Sequence, residues 1–248
     1  MTVWLLSMLI APATAVTAIH SGRPTLRDIH GNYTWPNSAE EWKAEMPEQH
    51  LIHKYLKTGA VVLEVGGNIG RATIVAAESV GPTGRIYSSE ANEEEKRKQR
   101  ERCKPLIDAD RVHLIPPISD IPLYQQGWFT NTEKATPARL AYTGMKAEDW
   151  REIPTLTYKK LTKTIPPWDT IIADCEGCFH TLCKAHPDIL NGVKTVIVEH
   201  DAATTAGLDP EKSLREILAA AGFSRCPRGC ASDEKCEQGC FNEAWERP

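Results

Sequence analysis

An apolar run that ends on a cluster of glycines, with a helical pattern directly behind it, leaves a chain few folds to choose from. Here the run is Val61-Val62-Leu63-Glu64-Val65, the glycines are Gly66, Gly67 and Gly70, and the helical pattern covers 71–80. A short apolar run rich in β-branched residues reads as a buried strand, and apolar spacing of three and four reads as a helix packed on it. Glycine permits the tight turn between them and lets backbone come close to a ligand, while the first turn of the helix leaves N–H groups without partners. Gly81-Pro82-Thr83-Gly84 then turns the chain into a second short strand, 85–89, which ends on Glu90. An acid about twenty residues past such a glycine turn is where doubly wound nucleotide-binding sheets hold the two hydroxyls of a ribose. Gly66-x-x-x-Gly70 lacks the three-glycine pattern that seats a pyrophosphate, so a ligand without phosphates fits better. The plain alternative is a strand-to-helix turn that binds nothing.

The rest of the chain repeats the alternation. Residues 48–57 carry Leu51, Ile52, Tyr55 and Leu56 at helical spacing. Val112-His113-Leu114-Ile115 reads as a third strand, stopped by Pro116 and Pro117, with Ser119 and Asp120 beyond it. A fourth strand covers 168–174 and leads into a helix at 179–185, and a fifth covers 193–198 and ends in Glu199-His200-Asp201. A last helix at 210–221 has Pro210 at its start and Gly222 past its end. Strands alternating with helices imply an α/β, doubly wound, mostly parallel sheet. The stretch 122–150 shows no clear periodicity, and loops of that length are usually functional or disordered.

Composition narrows the partners. The 248 residues are 41% hydrophobic and 25% charged with a net charge of −4, as in an ordinary soluble globular chain without the basic stripe that nucleic acid requires. The charged run 93–102 places Glu93 ahead of Arg97 and Glu94 ahead of Lys98, the ordering of a solvated helix face. Residues 1–18 carry no charged side chain, and small residues gather at Ala13, Ala15, Val16 and Ala18. The expectation is a secretory signal peptide cut after Ala15 or Ala18, with a retained membrane anchor or a buried terminus as alternatives. Asn32-Tyr33-Thr34 is a glycosylation acceptor pattern that accords with a lumenal chain. Residues 19–47 read as a linker or lid, 48–225 as the main domain, and 226–248 as a short cysteine-rich C-terminal tail. Cys226, Cys230, Cys236 and Cys240 are expected to form two bridges there, with zinc as the competitor.

Parallel sheets bind ligands beyond the carboxyl ends of their strands. Acids and a histidine collect at those ends: Glu64 and Glu90 on the first two strands, Asp174 and Glu176 after the fourth, Glu199 and His200 on the fifth. Each alone also reads as a cap or turn residue. Glu64-x-Gly66-x-Asn68-x-Gly70 followed by Glu90 resembles the S-adenosylmethionine site of class I methyltransferases, whose fold is Rossmann-like. Leu63-Glu64-Val65-Gly66-Gly67-Asn68-Ile69-Gly70, Ile86-Tyr87-Ser88-Ser89-Glu90-Ala91-Asn92, Ile172-Ala173-Asp174-Cys175-Glu176-Gly177 and Val196-Ile197-Val198-Glu199-His200 together resemble the FkbM family of S-adenosylmethionine-dependent O-methyltransferases, over 48–223. The resemblance implies S-adenosylmethionine as cofactor and a hydroxyl of a sugar, glycan or other small molecule as acceptor. It places Glu64, Gly66, Gly67, Asn68, Gly70 and Glu90 at the cofactor. Asp120, at the end of the third strand, would accept from the adenine amine or else cap a turn.

Methyl transfer to a hydroxyl needs a group to take the proton. His200 can act as that base at ambient pH. Asp174 can do so directly, or can join Glu176 and His200 around a divalent metal that acidifies the alcohol. Phe179 stands where the family often has a further acid, and Cys175 and Cys178 stand where it favours small or aliphatic residues. Cys175-Glu176-Gly177-Cys178 also supports a rival reading as a thiol-disulfide oxidoreductase, although two small buried residues are the simpler expectation. A binding module that kept the sheet and lost turnover is the third reading.

Overall fold

The computed structural model describes residues 23–33, 46–126, 129–131, 150–175, 177–200, 210–226 and 242–248. Their centre is a seven-stranded sheet in the order β3-β2-β1-β7-β8-β10-β9, built from β1 (Val61–Val65), β2 (Arg85–Ser89), β3 (Val112–Ile115), β7 (Thr170–Ala173), β8 (Thr195–Glu199), β9 (Ser224–Arg225) and β10 (Asn242–Glu246). The first five of these in the sheet order are parallel to one another. β10 runs antiparallel to both β8 and β9. This is the doubly wound, mostly parallel sheet expected from the alternation.

Side chains along a strand point alternately to the two faces, and each face carries its own core. Val62, Ile86, Val112, Ile172, Ile197 and Ala244 meet α1 (Leu26–Asn32), α2 (Met46–Tyr55) and α3 (Arg71–Val80) on one face. Leu63, Val65, Ile171, Ala173, Val196, Val198 and Trp245 meet α6 (Tyr158–Thr164), α7 (Cys178–Ala185) and α8 (Pro210–Ala220) on the other. The charged helix α4 (Glu93–Arg102) follows β2, capped by Asn92 through the N–H groups of Glu94 and Glu95. It leads through α5 (Lys104–Asp108) to β3. Between β3 and α6 the chain forms a small antiparallel sheet of β4 (Leu123–Gln126), β5 (Phe129–Asn131) and β6 (Arg151–Ile153), in the order β5-β4-β6. Gln125 Oε1 accepts from the Glu93 N–H at 3.3 Å and ties this sheet to the start of α4. The aperiodic stretch thus contains strands, and 127–128 and 132–149 lie outside the described residues.

Two expected boundaries move. Part of the presumed linker is helix α1, which starts at a capping box between Thr25 and Asp28 and buries Ile29 completely. Tyr33 beyond it donates to Glu78 on α3 at 2.9 Å. The presumed tail ends in β10, which pairs with β8 from Asn242↔Glu199 to Glu246↔Thr195 and buries Ala244 and Trp245. Its short sequence has no apolar run, because the polar Asn242 and Glu243 occupy buried positions beside Ala244 and Trp245. The bridge expected at Cys226 is corrected: Cys226 is a buried free thiol whose Sγ donates to Glu246 at 3.6 Å. Cys230, Cys236 and Cys240 lie outside the described residues, as do 1–22 with the expected leader. No helix among the described residues is long and apolar enough to cross a membrane.

If β10 is a structural strand, Trp245→Ala empties a core position, and urea titration should show a loss of about 3–5 kcal/mol. A change within about 0.5 kcal/mol, the usual range of a surface site, would mean that the C-terminal segment does not support the sheet.

Candidate active site

The register of the sheet assembles the rim. Val65 pairs with Ser89 on β2 and with Ala173 on β7, so the next residues of all three strands, Gly66, Glu90 and Asp174, stand side by side. Strand spacing sets the backbones of Glu90 and Asp174 roughly 10 Å apart, with the glycine turn between them. Gly66 has φ +94°, and its N–H donates to the Ser89 carbonyl at 2.8 Å. A Cβ there would collide with the Asp174 carbonyl, so this position requires glycine for space as well as for conformation. Gly67 N–H also donates to Ser89 O, at 3.1 Å. A Cβ on Gly67 would strike Gln99 and Ser88, and one on Gly70 (φ +93°) would come within 2.9 Å of Cys103 Sγ.

Glu90 closes the turn onto β2. One carboxylate oxygen accepts from the Asn68 N–H at 2.7 Å and the other from the Asn92 N–H at 2.6 Å. Burial pushes this carboxyl above its usual range, and the N–H groups of Asn92, Asn68 and Ala91 oppose that by favouring the charged form. An ionised carboxylate has about four acceptor sites, so beyond these N–H groups Glu90 keeps acceptor capacity for a ligand hydroxyl. The Asn68 side chain accepts from the Ile69 N–H at 2.7 Å and closes off part of the start of α3. That arrangement suits a ligand with no phosphate at the helix end.

Glu64 differs from expectation. Leu63 and Val65 face α6 and α7, so Glu64 points to the other face, toward α3, and is fully buried. Its Oε2 accepts from Thr73 Oγ1 at 2.7 Å, and Gln99 Nε2 donates to both Thr73 Oγ1 (2.8 Å) and Ser88 Oγ (2.7 Å). This network braces the underside of the glycine turn, and Glu64 has no exposed surface. Thr73 and Ser88 show in the sequence only as small polar residues inside apolar periods, and Gln99 only as an uncharged residue in the charged run 93–102.

Asp120 is also reassigned. Its Oδ1 accepts from the Tyr158 N–H at the start of α6 at 2.9 Å, and its Oδ2 meets His186 Nε2. Tyr158 stacks on the His186 ring with centroids 4.2 Å apart. In this arrangement Asp120 serves as the turn acid that caps the start of α6 and holds His186.

His200 follows β8 one strand beyond Asp174 on the same rim and is 3% exposed. Its Nε2 lies 2.8 Å from Glu243 Oε2 on β10. Glu243, fully buried, also accepts from Arg215 Nε (3.2 Å), Arg225 Nη1 (3.1 Å) and Trp245 Nε1 (3.1 Å). Burial alone would raise the Glu243 carboxyl, but hydrogen bonds and charge from His200 and Arg215 prevail and hold it at about 2. Opposite an ionised Glu243, His200 donates from Nε2. Glu243 lay in the segment taken for a tail. Glu176 lies outside the described residues, and among those described no group of three or more His, Cys, Asp or Glu could hold a metal ion. Cys175 and Cys178 form a disulfide rather than two small buried residues, and Cys178 is exposed. Phe179 is 2% exposed in the core, so this position cannot present a side chain to an acceptor.

No family model matches the chain, and neither does any curated protein. Solved structures similar to it include fibrillarin of Aeropyrum pernix with bound S-adenosyl-L-methionine, at 14% identity and TM-score 0.47, covering 83% of this chain and 75% of that one. An O-methyltransferase from Bacillus cereus in complex with S-adenosylhomocysteine is similar at 16% identity and TM-score 0.46, over 84% and 80% of the two chains. A S-adenosylmethionine-dependent O-methyltransferase from Thermotoga maritima is similar at 12% identity and TM-score 0.44, over 90% and 71%. Likenesses at these values identify neither an activity nor a substrate.

Burial raises the Glu64 carboxyl to about 7 against the hydrogen bonds of Ser88 and Thr73, with Glu90 and Asp174 adding repulsion. Its folded pKa exceeds the unfolded one, so its contribution to stability is fully present below pH 4.5 and is lost as pH rises to about 7. Glu64→Gln is neutral throughout. Wild type should therefore lose roughly 3 kcal/mol relative to this variant across that window in paired denaturant titrations. Parallel pH profiles would contradict the assignment.

Proposed function

We propose that the chain is an S-adenosylmethionine-dependent O-methyltransferase of the FkbM kind, acting on a hydroxyl of a sugar or glycan. The observation that carries this reading is Glu90, fixed by backbone N–H groups across the glycine turn with acceptor capacity left for a ribose hydroxyl. The cofactor fits the residues present: a phosphate-free adenosyl group needs the close backbone approach that Gly66 and Gly67 allow and the acid that Glu90 supplies. The four quoted sequence stretches support a carbohydrate acceptor, and the leader-like residues 1–18 support work on it in the secretory route.

When bound, the cofactor supplies an electrophilic methyl group on sulfur, with a neutral thioether as leaving group. The chain then has two tasks. Glu90 and the glycine turn fix the adenosyl half and so reduce the entropic cost of bringing the methyl to the acceptor oxygen. A rim group removes the hydroxyl proton as the oxygen attacks, and this reading assigns that role to His200 or Asp174, which follow β8 and β7 on the same rim. Glu243 orients the His200 ring from behind and stabilises the cation that forms when the ring takes the proton.

Calorimetric titration with S-adenosylmethionine should give a stoichiometric complex that Glu90→Ala weakens by roughly tenfold or more, the equivalent of one or two charge-assisted hydrogen bonds. His200→Asn should retain the complex and lower methyl transfer to a glycan panel by about 10²–10⁴-fold, the usual worth of a general base. Absence of binding, or a Glu90→Ala variant equal to wild type, would remove the reading.

A further inference from the structure

The disulfide between Cys175 and Cys178 is the only one among the described residues, where Cys103, Cys183 and Cys226 are buried thiols. It sits at the rim. Asp174 N–H donates to the Val65 carbonyl at 3.0 Å, and the next residue, Cys175, packs on the glycine turn, its Cβ 3.1 Å from where a Gly66 Cβ would lie. On its other side Cys178 N–H donates to the Cys175 carbonyl at 3.0 Å and opens α7, after Gly177 at φ +80°. The bridge therefore closes the turn that joins the rim to α7.

A structural staple is a poor account of this bond. Cross-links stabilise mainly through the loop they close, and this one encloses two residues. Phe179, Leu182 and Cys183 already bury α7 in the core without it. Its chemistry points elsewhere. Cys178 is exposed, Cys175 half-buried, and a thiolate released at Cys178 lies in the first turn of α7, where unpaired N–H groups favour negative charge.

We propose that Cys175–Cys178 is a thiol-disulfide exchange site, with a dithiol as co-reactant, and that its oxidation state sets the affinity of the adjoining cleft. An external thiolate attacks the exposed Cys178 Sγ and expels Cys175 as a thiolate. The second thiolate of the reductant then attacks its own sulfur in the mixed disulfide and releases Cys178. Two electrons and two protons pass to the pair, giving two thiols, and the dithiol leaves as its disulfide. With the bond open, the turn no longer holds the Asp174 and Cys175 backbone against Gly66, and the cleft loses its preformed shape. The second half of the proposal rests on the cofactor reading above; the first half does not.

The test uses the full chain equilibrated in mixtures of reduced and oxidised dithiothreitol, with peptide-resolved alkylation and titration of S-adenosylhomocysteine on the same samples. A single two-electron transition is expected at Cys175 and Cys178, while Cys103 and Cys183 stay unlabelled in the folded chain. The reduced form should bind the ligand roughly tenfold more weakly, and reoxidation should restore it. The double variant Cys175→Ser/Cys178→Ser should match the reduced form and ignore dithiol. A pair that stays unlabelled under full reduction of the folded chain would overturn the exchange site, and equal affinities of the two forms would overturn its control of the cleft. A clean transition with no ligand bound by either form would uphold the exchange site, overturn its control of the cleft and refute the methyltransferase reading.

Discussion

The carboxylate of Glu90 holds the site together. Its two short hydrogen bonds reach a residue of the glycine turn and the cap of α4, joining the ends of two neighbouring strands and the starts of two helices at one anion. Removing it would leave two buried N–H donors without partners as well as an empty ligand position, so the group serves fold and site together. Gly66 completes the arrangement from the other side, since only a residue without a side chain can pass between Ser89 and the Asp174 carbonyl.

Below and beside this point the molecule invests in buried polar groups. Glu64, Thr73, Ser88 and Gln99 link β1, α3, β2 and α4 under the turn, and Glu243 gathers His200, Arg215, Arg225 and Trp245 at the far end of the rim. The two clusters resolve their charge differently. Glu64 has hydroxyls as partners and the acids Glu90 and Asp174 as neighbours, so burial wins and its carboxyl rises. Glu243 has cations, so ionisation wins. Networks of this kind fix one arrangement of a surface that an apolar core would leave adjustable.

Much of the fold was legible because it rests on period and punctuation. The β1-to-β2 unit, the strands β3, β7 and β8 and the helices α3, α7 and α8 follow apolar spacing and glycine or proline boundaries, and α4 follows the order of its charges. The placement of Glu90 beside the turn followed as well, since sheet register carries it there. What stayed hidden depends on partners distant in sequence. Asp120 reads equally as a ligand or a cap until His186, 66 positions on, is seen against it. Glu64 looks like a rim acid until the alternation with Leu63 and Val65 turns it inward. β10 has no apolar run to mark it, and Glu243 is intelligible only once Arg215 and Arg225 surround it. The C-x-x-C spacing was visible, but spacing does not disclose whether two sulfurs are joined.

The central claim is that Glu90 and the glycine turn receive the ribose of an adenosyl ligand. A crystal structure of the chain grown with S-adenosylhomocysteine tests it directly. A ribose hydroxyl should lie within hydrogen-bonding distance of the Glu90 carboxylate, with the homocysteine end directed along the rim toward Asp174. A ligand seated elsewhere, or Glu90 still bound only to Asn68 and Asn92 at saturating ligand, would contradict it.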